Sequence, residues 1–150
     1  KQNGVEVLRQ KDTYYQTREG RLKLRQEWTT GEQKTYFVRY DREDAAVERN
    51  CEYDFYPVHD IPLFKKVFAG ALTEELVVKK TRELTLYKNA RIHVDTVEGL
   101  EQRYIEIEVV IGEGDTEEGS HKLMEELIDV FQIKPEHKVA VGYRELLLQE

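Results

Sequence analysis

Two short runs place ionisable side chains at strand spacing. In Arg91-Ile-His93-Val-Asp95 every second residue is ionisable, and in Ile105-Glu106-Ile-Glu108-Val109 two carboxylates follow the same rule. Strand side chains alternate between faces, so Arg91, His93 and Asp95 share one face, as do Glu106 and Glu108. Two carboxylates one strand repeat apart can hold a hard cation through oxygen. Cations recur at the same spacing in Lys23 and Arg25 and in Lys80 and Arg82, with Arg42 at the end of a further alternating run. A solvated sheet face explains any one such strand. Several together favour antiparallel strands closing around a charged interior, which must hold water or a ligand. Lys and Arg in such a space suit a polyanion: Arg contacts phosphate through two N–H groups, and Lys acts as a point charge. Carboxylates among them need Arg partners or a cation.

The elements that must position these residues follow from pattern. Residues 10–17, 21–28, 33–42, 49–58 and 75–87 read as strands, the second alternating Leu22 and Leu24 against Arg21, Lys23 and Arg25. The two runs above add two more. In 75–87 the pattern leaves open whether Lys80 and Arg82 or Lys79, Thr81 and Glu83 face a cavity. Residues 1–9 read as a polar lead-in. Asp60 can cap a helix with Pro62 in its first turn, followed by Leu63, Phe64, Val67, Phe68, Ala71 and Leu72 at helical spacing. Asp115 or Thr116 can cap a second helix carrying Leu123, Met124, Leu127, Ile128 and Phe131, which Pro135 stops. Residues 142–149 read as a short third helix. The fold class is α+β, dominated by antiparallel pairing, in a single domain over 1–150.

Composition narrows the function. The net charge of -7 argues against a general nucleic-acid or anionic-membrane surface. Cys51 is the only cysteine, so no intrachain disulfide forms and a cytoplasmic setting is expected. His59, His93, His121 and His137 have no zinc spacing. No apolar run approaches membrane-spanning length. Gly112, Gly114 and Gly119 lack the Lys-Ser/Thr of a phosphate loop.

Six segments, in order, resemble the CYTH proteins. They are Gln10-Lys-Asp-Thr-Tyr-Tyr, Gly20-Arg-Leu-Lys-Leu-Arg, Tyr40-Asp-Arg42, Val78-Lys-Lys-Thr-Arg82, Arg91-Ile-His-Val-Asp-Thr-Val-Glu-Gly99 and Ile105-Glu-Ile-Glu108. That family includes class IV adenylate cyclases, thiamine triphosphatases and inorganic tripolyphosphatases. The resemblance implies an antiparallel eight-stranded β-barrel, the triphosphate tunnel, with flanking helices. It implies that Lys23, Arg25, Arg42, Lys80, Arg82 and Arg91 grip phosphates, with Lys80, Arg82 and Arg91 catalytic and Lys79 outside. It implies that Glu106, Glu108 and Asp95 hold Mg²⁺ or Mn²⁺. Lys138 and Tyr143 would lie where a C-terminal element plugs the tunnel. Family members open with a Glu-x-Glu-x-Lys strand that 1–9 do not match; this first strand lies upstream of Lys1 or has been lost, and the former is the expectation.

The first functional reading is a metal-dependent triphosphatase acting on tripolyphosphate, thiamine triphosphate or a nucleoside triphosphate. The alternative is a cyclase converting ATP to cAMP and pyrophosphate; further alternatives are a non-catalytic polyphosphate-binding module and a plain structural β-domain. The partner is a triphosphate small molecule, with no nucleic acid or membrane, and the chain is expected to be a monomer or homodimer. His93 reads as part of a hydrogen-bonded network rather than a proton carrier. Tyr14, Tyr36 and Tyr40 read as packing residues.

Overall fold

A computed structural model describes residues 4–41 and 53–149. Its strands are β1 (Glu6–Tyr15), β2 (Arg21–Thr29), β3 (Glu32–Tyr40), β4 (Tyr53–Pro57), β5 (Glu74–Tyr87), β6 (Ala90–Val97) and β7 (Arg103–Val109). They form one sheet in the order β4-β3-β2-β1-β5-β6-β7, and every neighbouring pair is antiparallel. Helices α1 (Ile61–Phe68), α2 (Glu117–Val130) and α3 (Tyr143–Leu148) complete it, with a 3-10 turn at Pro135–His137.

The expected closed eight-stranded barrel is corrected. Among the described residues the sheet has seven strands and stays open, with β4 and β7 at its edges. Closure requires the edge strands to pair, and no described strand bridges these two. The charged face is covered in part by α3 instead, and its ionic groups pair with one another.

The second correction concerns β1, which starts at Glu6, inside the expected polar lead-in. The reason is tertiary. β5 is fourteen residues long, and its second half pairs with the start of β1, Glu6 opposite Leu84 and Leu8 opposite Arg82. At the far end of β1 the chain turns at Gly20 with φ +69°; a Cβ there would stand 2.5 Å from the Tyr40 carbonyl oxygen. That turn thus tucks against the end of β3 in a way only glycine permits.

The helices begin where their caps allow. The Asp60 carboxylate accepts from the Leu63 N–H, with a proline in the first turn. The Thr116 hydroxyl accepts from the Gly119 N–H, so Thr116 rather than Asp115 caps α2. α1 stops at Phe68 rather than continuing to Leu72. α1 and α2 cover one face of the sheet. Phe64 of α1 packs on Tyr15, Leu24 and Val58, and Leu123 and Leu127 of α2 pack on Ala90 and Ile92. A third cluster of Tyr14, Val78 and Val97 lies on the opposite face, packed by Tyr143 and Leu147 of α3. None of the described helices is long and apolar enough to cross a membrane.

Candidate functional site

The face that α3 partly covers collects the ionisable residues. Register places Tyr14 opposite Lys23, Asp12 opposite Arg25, Gln10 opposite Lys80, Leu8 opposite Arg82, Arg82 opposite Asp95, His93 opposite Glu106 and Arg91 opposite Glu108. All therefore point to one side. Lys79, one residue out of phase, is exposed on the other.

Asp12 is the hub of the first cluster and is fully buried. Arg25 donates to it twice, Nε to Oδ1 at 2.8 Å and Nη2 to Oδ2 at 2.7 Å. Lys23 Nζ reaches Oδ2 at 3.3 Å and Lys80 Nζ reaches it at 3.4 Å. Burial alone would raise the Asp12 carboxyl, but Arg25, Lys23 and Lys80 together hold it well below its ordinary value. Burial pushes the Lys23 ammonium well down, Arg25 adding to the effect and Asp12 opposing it. Burial likewise pushes Lys80 down to about 8 against the attraction of Asp12. The Lys23 ammonium also stands 5.5 Å from the Tyr14 ring centre and 5.2 Å from that of Tyr40. One carboxylate thus serves three cations.

Asp95 is the hub of the second cluster and is also fully buried. Arg82 donates Nε to Oδ1 and Nη2 to Oδ2, both at 2.8 Å, and the Tyr143 hydroxyl donates to Oδ2 at 2.7 Å. The Arg82 Nη2 also reaches Glu106 Oε2 at 3.2 Å. Burial would raise Asp95, but these bonds and the Arg82 charge hold it below its ordinary value. Desolvation likewise works against ionised Glu106, but the neighbouring charges, Arg82 foremost among them, together hold that carboxyl below its ordinary value. Burial, then Arg82, push His93 down to about 4, so its ring is neutral near pH 7. Tyr143 belongs to α3, which two further ion pairs fix: Arg144 with Glu75 on β5, and Arg21 on β2 with Glu145.

The residues expected to act are thus distributed as follows. Lys23, Arg25, Lys80 and Arg82 converge, buried or nearly so. Arg91 stands apart from them, half-exposed, 3.8 Å from Glu108. Arg42 lies outside the described residues, as does Cys51. Glu106 and Glu108 keep half-exposed side chains. Asp95 does not stand with them: it is fully buried, and Arg82 and Tyr143 occupy its oxygens. Among the described residues no three His, Cys, Asp or Glu side chains converge as a metal cage. The half-exposed carboxylates of Glu106 and Glu108, paired with Arg82 and Arg91, still fit Mg²⁺ or Mn²⁺, because such ions are commonly held by one or two carboxylates plus substrate phosphate and water. Asp12 was not singled out by sequence reasoning. Its signal was present: an aspartate amid strand formers runs against β propensity and demands a partner.

Comparison with solved structures shows the fold shared. The PH1819 protein of Pyrococcus horikoshii OT3 superposes with TM-score 0.76 at 23% identity, over 96% of this chain and 85% of its own. The PH1012 protein of the same organism gives 0.76 at 22% identity, over 94% and 83%. A conserved hypothetical protein of Pyrococcus furiosus gives 0.74 at 21%, over 93% and 83%. No curated protein matches. The family profile described as CYTH domain matches residues 1–143, nearly the whole chain with both buried hubs inside it. The chain therefore belongs to the CYTH family.

Proposed function

We propose that this chain binds a triphosphate on its charged face and hydrolyses it with the help of a divalent metal. CYTH domains are triphosphate tunnel metalloenzymes, generally triphosphatases and cyclases that use divalent metal. The observation that carries the reading is the imbalance at Asp12: one buried carboxylate facing Lys23, Arg25 and Lys80. Buried cations in excess of their counter-charge favour an anion that brings its own negative charge.

In this reading Lys23, Arg25, Lys80 and Arg82 orient the phosphate chain. They span β2 to β5, two strand spacings or about 10 Å. Arg25 and Arg82 offer planar donor pairs, each pre-oriented by a carboxylate, and the two lysines supply point charges. Glu106 and Glu108 would hold Mg²⁺ or Mn²⁺, whose chemistry is to neutralise charge on the non-bridging oxygens. Positioning and charge neutralisation are the main demands of phosphoryl transfer. Arg91, half-exposed beside Glu108, would meet the terminal phosphate once Glu108 turns to the metal.

The test is incubation with Mg²⁺ or Mn²⁺ and tripolyphosphate, thiamine triphosphate or ATP. Orthophosphate release is the expected result. Formation of cAMP with pyrophosphate would assign the cyclase reaction instead, and tight binding without turnover would assign a binding module. Glu106→Gln should abolish metal-dependent turnover, whereas Lys79→Gln, on the other face, should leave it unchanged. Equal losses from both would overturn the assignment of faces.

A further inference from the structure

His93 lies in the middle of β6, 3% exposed, and neither of its ring nitrogens has a hydrogen-bond partner. A neutral imidazole carries one donor and one acceptor. Buried polar atoms are nearly always paired, and leaving them unpaired is costly. Its neighbours restrict what can satisfy it. Across the sheet on β5 stands Leu84, which has no polar side-chain atom. Across the sheet on β7, in register, stands Glu106. Side chains directly opposite one another on antiparallel strands are within contact range. The Glu106 carboxylate instead turns to Arg82. Arg82 already has both oxygens of Asp95, so Glu106 is its second, longer contact.

Glu106 therefore has two competing donors, a cation that is otherwise satisfied and an imidazole that is not. An anion bound at Arg82 would compete for the same guanidinium nitrogen and release the carboxylate. We propose that His93 is the positioning residue for Glu106: its ring N–H takes up that carboxylate when phosphate occupies Arg82, and so aims it at the metal. The inference rests on the triphosphate-and-metal reading above. A neutral donor suits the task, since it orients the ligand without adding a positive charge beside the cation. Hydrogen bonds to metal-ligating carboxylates from groups that do not touch the metal have this effect, and their loss typically weakens metal binding about 10–100-fold.

The experiment measures Mn²⁺ affinity by electron paramagnetic resonance on the protein with tripolyphosphate, for wild type, His93→Phe and His93→Gln. Calorimetry measures tripolyphosphate affinity without metal. His93→Phe should weaken Mn²⁺ binding about 10–100-fold and leave metal-free tripolyphosphate binding unchanged. His93→Gln, which keeps an N–H donor, should recover much of the loss. Unchanged Mn²⁺ affinity in His93→Phe overturns the inference and leaves the function standing. So does a parallel loss of metal-free tripolyphosphate binding in both variants, which would mark a purely structural histidine. A wild type that binds no tripolyphosphate removes the function and the inference together. The wild type gives an independent readout through the ¹⁵N resonances of its imidazole. The ring N–H should slow its exchange with water when tripolyphosphate and Mg²⁺ are added, and no change overturns the proposal even if His93→Phe does not fold.

Discussion

Asp12 concentrates the electrostatics of the site in one side chain. Replacing it by asparagine keeps the shape and removes the charge, leaving Lys23, Arg25 and Lys80 facing one another. Removing one partner from a buried ionic cluster costs about 3–5 kcal/mol, and urea denaturation of Asp12→Asn at pH 7 should show a loss of that order. Added tripolyphosphate should restore part of it. A loss as small as that of an exposed pair would mean that water screens the cluster. Lys80 yields a pH prediction with two opposite signs. Its folded value of about 8 lies below an ordinary lysine's, so over the interval between them the unfolded chain binds more protons. Its contribution to stability therefore rises with pH through that interval. Its grip on an anion falls over the same interval, because the charge is lost. Calorimetric tripolyphosphate affinity should weaken above about pH 8, less steeply in Lys80→Arg, whose guanidinium stays charged. At this scale the sequence showed the cations through their alternation. It hid the acids' assignments: nothing in Val94-Asp95-Thr96 says that Arg82 and Tyr143 occupy a carboxylate that the family resemblance implies as a metal ligand.

α3 is a short element with an outsized position. Its six residues would be marginal alone. Contacts made by its side chains hold it: Tyr143 to Asp95, Arg144 to Glu75, Glu145 to Arg21, and Leu147 against the cluster of Tyr14, Val78 and Val97. Tyr143→Phe removes one donor from a buried carboxylate and should cost about 1–3 kcal/mol in thermal or urea unfolding. Asp60→Ala, by contrast, removes a cap on the opposite face and should cost about 1 kcal/mol without changing tripolyphosphate affinity. A change in affinity there would contradict the separation of the two faces. Most elements were legible because amphipathic alternation and capping residues are local signals. The start of β1 was not, since residues 6–9 become a strand only through pairing with the far half of β5. The pattern of 75–87 left its inward face open for a similar reason: both phases carry cations.

At the scale of the whole molecule, an open sheet with one crowded ionic face should respond strongly to polyanions. A ligand present at 100 times its dissociation constant stabilises the folded state by about 2.7 kcal/mol, so tripolyphosphate should raise the melting temperature measurably. The exposed fraction of that gain should shrink as salt is added. No gain at any salt concentration would remove the anion-binding reading. The closed barrel was the part of the family expectation that the sequence could not deliver, because closure depends on which edges meet and no residue pattern within a strand reports that.

The shared carboxylate also orders events in time. Asp12 meets Lys23 and Arg25 through a hairpin, a contact that forms in microseconds, but Lys80 is 68 residues away along the chain. Joining so distant a partner costs more entropy and comes later. A chain leaving the ribosome therefore assembles the two-cation half of the cluster early and has no complete anion grip until β5 has emerged.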